Sequence, residues 1–204
     1  MSQWAKKYSF QIFLMALVLV FAVVAAILYW PRGPELPLTD KTAPDFTMQN
    51  VDGNTVSLAD TNGKARLFYF YFTNCPDVCP PTTYMLSEVQ QLLKDKGVFG
   101  KDASIVSISF DPERDTPEAI QEWSKKYNAD YSGWYFLRGD EADVAKMMPA
   151  LGSSVIKDED GNFTHLNVIT LVDQDGNIRK YYNANDRETS SPEIIANDVM
   201  SLVK

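Results

Sequence analysis

Leu67-Phe68-Tyr69-Phe70-Tyr71-Phe72 is an unbroken apolar run, and it leads directly into the only two cysteines of the 204-residue chain. Six consecutive residues of this kind show no polar alternation and so leave no face for water. Such a run predicts a central strand of a sheet covered on both sides by other elements. After it comes Cys75-Pro76-Asp77-Val78-Cys79-Pro80, then helical spacing at Met85, Val89 and Leu92-Leu93 out to Lys96, stopped by Gly97. A buried strand, a short loop carrying both thiols and a helix therefore form one continuous unit, and the rest of the chain has to enclose it.

Strand and helix alternate around that unit. Phe46 to Gln49 and Thr55 to Leu58 flank Val51-Asp52-Gly53-Asn54, whose Asp-Gly pair predicts a hairpin. Ser104 to Phe110 predicts a second buried strand, and Asp115-Thr116-Pro117-Glu118 the capped start of a helix running to Tyr127. Trp134 to Leu137 reads as a short strand and Asp140 to Leu151 as a helix. Asn167 to Val172 and Ile178 to Tyr182 read as a hairpin around Asp173-Gln174-Asp175-Gly176-Asn177, and Ser191-Pro192-Glu193 opens a last helix to Val203. This order predicts an α/β, thioredoxin-like sandwich with an N-terminal β-hairpin extension over residues 43–204.

The N-terminus predicts the compartment. Phe10 to Trp30 is 21 residues without a charge, long enough for a hydrocarbon core of about 30 Å. Lys6 and Lys7 precede it, and Arg32 is the only basic residue soon after, followed by Glu35 and Asp40. The positive-inside rule then predicts a cytoplasmic N-terminus at 1–9, one transmembrane anchor at 10–30, a linker at 31–42 and an extracytoplasmic domain, in a single-pass protein of the cell membrane. Trp4, Tyr29 and Trp30 bracket the span as interfacial aromatics. A cleaved signal peptide fits less well, because Ala25-Ala26 run on into Ile27-Leu28-Tyr29-Trp30. Pro31, Pro34 and Pro37 make the linker a semi-rigid spacer. Beyond the anchor, 17 basic residues face all 27 acidic ones, a net charge of about −10 that argues against nucleic acid as a partner. An exported domain is free to form a disulfide.

The chemistry rests on three side chains. Pro80 suits a first helical turn, which puts Cys79 at or beside the N-cap, where the helix dipole and free amides are expected to lower its pKa. In a helical segment Cys75 and Cys79 would face the same way, close enough for a disulfide or for one shared ion. A structural bridge or two inert core thiols is the plainer alternative. His165, the only histidine, follows the polar turn Asp158-Glu159-Asp160-Gly161-Asn162 and enters the strand Asn167 to Val172. That placement puts it across from the cysteine loop. Two thiolates and one imidazole are soft and few. A structural zinc site wants four ligands, whereas copper accepts three, so copper is the better-matched ion. Asp111 ends a buried strand on the same edge; it either supports a ligand from behind or only shapes the Asp111-Pro112 turn with Arg114 and Asp115. The run Phe68 to Phe72 reads as core, and Met147-Met148, just before Pro149, as packing. No Pro and Thr or Ser stand where a peroxidatic cysteine would need them in Tyr71-Phe72-Thr73-Asn74.

Phe72-Thr73-Asn74-Cys75-Pro76-Asp77-Val78-Cys79-Pro80 resembles the signature of the Sco/SenC proteins, membrane-anchored copper chaperones of cytochrome c oxidase assembly. Ser107-Ile108-Ser109-Phe110-Asp111-Pro112-Glu113-Arg114-Asp115-Thr116-Pro117 resembles their second motif, and His165 stands where they carry a histidine. The resemblance spans about Ala43 to Val203. It implies that Cys75, Cys79 and His165 ligate a copper ion, Cu(I) or Cu(II), for delivery to the binuclear copper centre of the oxidase. The implied partners are the copper-centre subunit and a copper donor protein or a thiol reductase. The alternative is an extracytoplasmic thiol-disulfide oxidoreductase that uses Cys75 and Cys79 as a redox pair on the oxidase's cysteines. One departure is visible: Thr164 and Leu166 flank the histidine where family members usually carry an Asp and a small hydroxyl residue.

Overall fold

The structure is a computed structural model that describes residues 8–29, 36–159 and 161–203. Trp4, Lys6, Lys7, Trp30, Pro31, Arg32, Pro34, Glu35 and Asp160, on which part of the topology and turn reading rests, lie outside the described residues. The chain divides into two units, Met1–Gly33 and Pro34–Lys204. The first holds the uncharged helix α1 (Ser9–Tyr29). Among the described residues no helix is long and apolar enough to cross a membrane. In α1 the side chains are described for 10–25 only, so the anchor expected over 10–30 extends past them.

The second unit is built on a seven-stranded mixed sheet. Its strands are β1 (Thr47–Asn50), β2 (Thr55–Ser57), β3 (Ala65–Tyr71), β4 (Ala103–Ser109), β5 (Trp134–Arg138), β8 (Val168–Val172) and β9 (Ile178–Asn183), in the order β2-β1-β5-β4-β3-β8-β9. β3 and β4 are buried along their whole lengths, as the apolar run requires. The strand begins two residues before that run and takes Arg66 into the interior. There the guanidinium donates to Thr61 Oγ1, Asn62 Oδ1 and the carbonyl of Asp173.

The helices are α2 (Cys79–Asp95), α3 (Pro117–Lys126), α4 (Glu141–Met147) and α5 (Pro192–Leu202). α2 packs against α5. Trp123 of α3 stacks on Tyr71, so α3 covers the face to which Tyr69 and Tyr71 point. Phe46 meets Phe68 edge-on across the opposite face. The helix expected over Asp140 to Leu151 divides: α4 ends at Met147, and Met148–Leu151 is a 3-10 turn. Pro149 has no N–H to continue an α-helical ladder, which accounts for the change. Met147 and Met148 are buried packing residues. A separate two-stranded hairpin, β6 (Val155–Lys157) and β7 (Phe163–His165), stands where no strand was expected.

Topology decides where the chemistry lies. β3, β4 and β5 run parallel, so Tyr71, Ser109 and Arg138 end at one edge of the sheet. β8 runs antiparallel to β3 and starts at that same edge. The cysteine loop, the segment after β4 and the residues entering β8 are thereby gathered together, at the carboxyl ends of strands where such sheets bind ligands.

Candidate metal centre

The cysteine loop leaves β3 at Phe72 and becomes helix at Cys79. α2 has Val78 at its N-cap without a side-chain cap, and Pro80 and Pro81 in its first turn. Prolines carry no N–H, so the Cys79 amide is the donor left at the tip of the helix. It points at Cys75 Sγ, 3.4 Å away. Cys75 therefore occupies the position of a capping acceptor, and the positive end of the helix acts on its sulfur.

This reverses the sequence expectation, which gave the lowered pKa to Cys79. Cys75 is brought down to about 4, chiefly by the Cys79 side chain as a hydrogen-bond partner, with burial opposing and His165 and backbone amides assisting. Cys79 is pushed well up, first by that same pairing with Cys75 and then by burial. The opposite directions of the two shifts make Cys75 the thiolate and Cys79 the thiol of the metal-free pair. Cys75 is the more accessible of the two, at 7 % against 0 % exposure.

The opposite wall is the β6–β7 hairpin, which carries His165 at the end of β7. Three-residue strands supply little stability of their own, so the hairpin is held by an aromatic peg. Phe163 packs on Phe72 at 5.3 Å and on Phe110 at 5.2 Å. Arg114 and Lys157 lie over its ring, each 5.3 Å from the centroid. His165 stands against Phe110 at 5.1 Å and Phe72 at 6.2 Å. Its Nδ1 is 3.3 Å from the carbonyl oxygen of Leu166, so the tautomer that uses this acceptor leaves Nε2 unprotonated. Nε2 lies 3.8 Å from Cys79 Sγ. With neither an Asp before the histidine nor a small hydroxyl residue after it, the backbone supplies the orienting partner.

One donor atom from each of Cys75, Cys79 and His165 lies within 4.8 Å of the other two. Metal–sulfur bonds of about 2.3 Å and metal–nitrogen bonds of about 2.0 Å place ligands of one ion roughly 3.5–4 Å apart. The set is therefore nearly assembled for a single soft ion, and closing it needs a shift of an ångström or less.

Asp111 is buried, and its carboxylate pairs with Arg114 Nε at 2.5 Å. Its connection to the site runs through Arg114 to the ring of Phe163. The carboxylate that grips the cysteine loop is Asp115, fully buried. Within the capped start expected at Asp115-Thr116-Pro117-Glu118, Thr116 is the N-cap of α3, which leaves Asp115 free for the loop. Asp115 accepts from the amide and hydroxyl of Thr73, at 3.0 and 2.6 Å, and from Ser109 Oγ at 2.5 Å. Burial raises its pKa against the lowering effect of these bonds. A carboxylate in the interior has to be hydrogen-bonded, and the hint available in the sequence was an Asp six residues beyond the end of a buried strand.

Residues 35–204 match the SCO1/SenC family. The SCO1 protein homolog of Bacillus subtilis (strain 168) is 33% identical over 168 residues, covering 81% of this chain and 84% of its own. The solved structure of BsSco, described as a member of the Sco family of cytochrome c oxidase assembly proteins with a disulfide switch, superimposes with a TM-score of 0.71 at 30% identity, over 84% of this chain and 98% of the other. ScoI of Bradyrhizobium japonicum, solved with copper bound, gives 0.66 at 28% identity, over 79% and 99%.

Proposed function

The chain belongs to the SCO1/SenC family, and from that premise we propose that it is a membrane-anchored copper chaperone for cytochrome c oxidase. Its cargo is a copper ion held by Cys75, Cys79 and His165 and passed to the binuclear copper centre during assembly. The observation that carries this reading is the convergence of those three donors within 4.8 Å. Low coordination suits handover: an acceptor thiolate can join a three-ligand ion before a donor leaves. His165, on its small hairpin, is the ligand placed to leave first. Attachment to the membrane rests on the 21 uncharged residues from Phe10 to Trp30, with the N-terminus cytoplasmic and the site on the outer side.

The experiment is copper titration of the reduced protein, wild type against His165→Ala, by metal analysis and absorbance. One copper per chain, with a sulfur-to-copper charge-transfer band that changes on loss of His165, is the expected result. Absence of stoichiometric copper in the wild type would overturn the reading.

A specific observation favours a second activity on the same residues. The more accessible Cys75 carries the lowered pKa and Cys79 is the buried partner. That is the order needed for thiol-disulfide exchange. The Cys75 thiolate attacks a partner disulfide and displaces one partner thiolate. Cys79 then loses its proton, attacks Cys75 and releases the second partner thiol, so that two electrons pass to the partner. Such a step prepares an acceptor's cysteines for copper and needs no metal ligation by His165.

A further inference from the structure

A histidine ligand needs something behind it, because the torsion that turns its ring is broad and roughly two-fold. The rings of Phe72 and Phe110 confine the imidazole of His165, but an apolar wall does not tell one ring nitrogen from the other. The Leu166 carbonyl does, 3.3 Å from Nδ1. A carbonyl only accepts, so this bond forms with Nδ1 protonated and leaves the Nε2 lone pair on the side of Cys79. The aim of the ligand is therefore set by the direction of that carbonyl.

Leu166 does not hold its own carbonyl. Its side chain is exposed, and among the described residues no backbone N–H donates to its oxygen. The second donor is Ser153, whose hydroxyl reaches the oxygen at 3.0 Å. Ser153 is buried, and its amide donates to the Met148 carbonyl at 2.9 Å, which ties it to the 3-10 turn whose Met148 and Leu151 are core. The path of the backbone on either side is fixed by other groups. Leu166 N–H donates to the Ser154 carbonyl at 3.0 Å. Asn167 Nδ2 donates to Thr82 Oγ1 at 3.0 Å and to Asn185 Oδ1 at 2.7 Å, and Thr82 belongs to the helix that begins at Cys79. What remains for the Ser153 hydroxyl is the direction of the Leu166 carbonyl itself.

Resting on the copper reading above, we propose that Ser153 is a positioning residue of the metal site: its hydroxyl sets the Leu166 carbonyl, the carbonyl sets the His165 ring, and Nε2 is thereby presented to the ion. A carbonyl oxygen has two lone pairs and takes both donors at once. The groups that hold a ligating imidazole from behind govern metal affinity as well as the direction of the ligand. Without the Ser153 donor the carbonyl is no longer pinned, Nδ1–H loses a fixed acceptor, and the ring spends part of its time with Nε2 turned from the sulfurs.

Thr170 serves as the internal comparison. Its hydroxyl, also buried, donates to the Leu151 carbonyl at 2.6 Å and so ties β8 to the same 3-10 turn without reaching Leu166. The test uses the full reduced chain in detergent micelles as wild type, Ser153→Ala, Thr170→Val, His165→Ala and the double variant Ser153→Ala with His165→Ala. Each is titrated with Cu(II) while the charge-transfer band is recorded, and the metal-free form of each is melted. Ser153→Ala is expected to bind Cu(II) about tenfold more weakly and to displace the band part of the way toward that of His165→Ala. Thr170→Val should melt lower, as Ser153→Ala does, yet match wild type in Cu(II) affinity and band, which separates positioning from a merely structural role. Added to His165→Ala, the Ser153 change should have no further effect on either, because the relay ends at a ring that is gone. Wild-type affinity and band in Ser153→Ala, equal changes in Thr170→Val, or a further loss in the double variant would each overturn the proposal while leaving the copper site intact. A wild type that takes up no stoichiometric copper would overturn the copper reading itself, and this inference with it.

Discussion

Cys75 and Cys79 sit between a strand buried along its whole length and a helix of 17 residues, whereas His165 rides on a hairpin of three-residue strands. The sulfur half is fixed by the centre of the fold: β3 behind it, α2 in front, and Asp115 gripping Thr73 at the loop's start. The imidazole half is fixed by one aromatic contact patch, and Ile156 and Leu166 beside it stand largely exposed. Elements with few buried contacts open at lower free energy than the core. Under the proposed copper reading that inequality suits a carrier, with Cys75 and Cys79 keeping the ion while His165 admits an acceptor.

The bluntest way to break this comparison is to remove a ligand from the fixed half. Cys75→Ser and Cys79→Ser should each abolish tight copper binding and leave the fold standing, because the Ser is smaller and both sites are already enclosed. Stoichiometric copper retained in both single variants, measured by metal analysis after dialysis, would show that the sulfurs are not the permanent ligands.

A second large difference lies within the fixed half. Cys75 should react with iodoacetamide at a nearly constant thiolate fraction until the pH approaches about 4, while Cys79 stays a thiol through neutral pH. An unfolded thiol titrates near 9.0. The reduced fold therefore gains stability from Cys75 as pH rises from about 4 to about 9 and loses it as pH falls back through 4. Above about 9 the raised Cys79 acts in the opposite sense. Mapping the alkylated cysteine by mass spectrometry across this range checks the order, and equal labelling of the two would contradict it.

The fixed half was also the half legible in sequence. An apolar run without alternation, a Pro at the start of the next helix and a Gly at its end have strong local signatures, and β3 and α2 lie within a residue or two of where they were expected. His165 was placed by the turn before it and the strand after it. The hairpin that carries it was not legible: Val155–Lys157 and Phe163–His165 are too short to show a period, and they are stabilised by Phe72 and Phe110, far away in the chain. Three further features depended on contacts rather than pattern. Arg66 is buried because Thr61, Asn62 and the Asp173 carbonyl await it, Asp115 turns back to Thr73 while its neighbour Thr116 caps α3, and the Cys79 amide serves Cys75 rather than its own sulfur.

Asp115 tests how far the fixed half depends on that grip. Asp115→Ala leaves the Thr73 amide and the Thr73 and Ser109 hydroxyls without their acceptor, at a cost of about 2–3 kcal/mol for the buried groups. The metal-free protein should melt lower, and copper affinity should fall only as the loop loosens. Asp115→Asn keeps an acceptor for Thr73 and removes the buried charge, so it should recover most of the melting temperature. An Asn variant as unstable as the Ala variant would mean that the charge itself, rather than the hydrogen bonds, holds the loop.

The gentlest test loosens the movable half without touching a ligand. Phe163 is half-buried, so Phe163→Ala should cost less than the 3–5 kcal/mol of a core Phe, about 1–2 kcal/mol, and much of that should appear as undocking of the hairpin. His165 would then spend part of its time away from the sulfurs. Copper(II), which depends more on the imidazole, should bind about tenfold more weakly, with the charge-transfer band displaced in the same direction as in His165→Ala. Cu(I) affinity and the potential of the Cys75–Cys79 couple should change little, because both sulfurs are carried by the loop and helix after β3 and not by the hairpin. If the couple shifts as much as Cu(II) affinity does, the two halves are one rigid body, and release of copper has to begin at the cysteines.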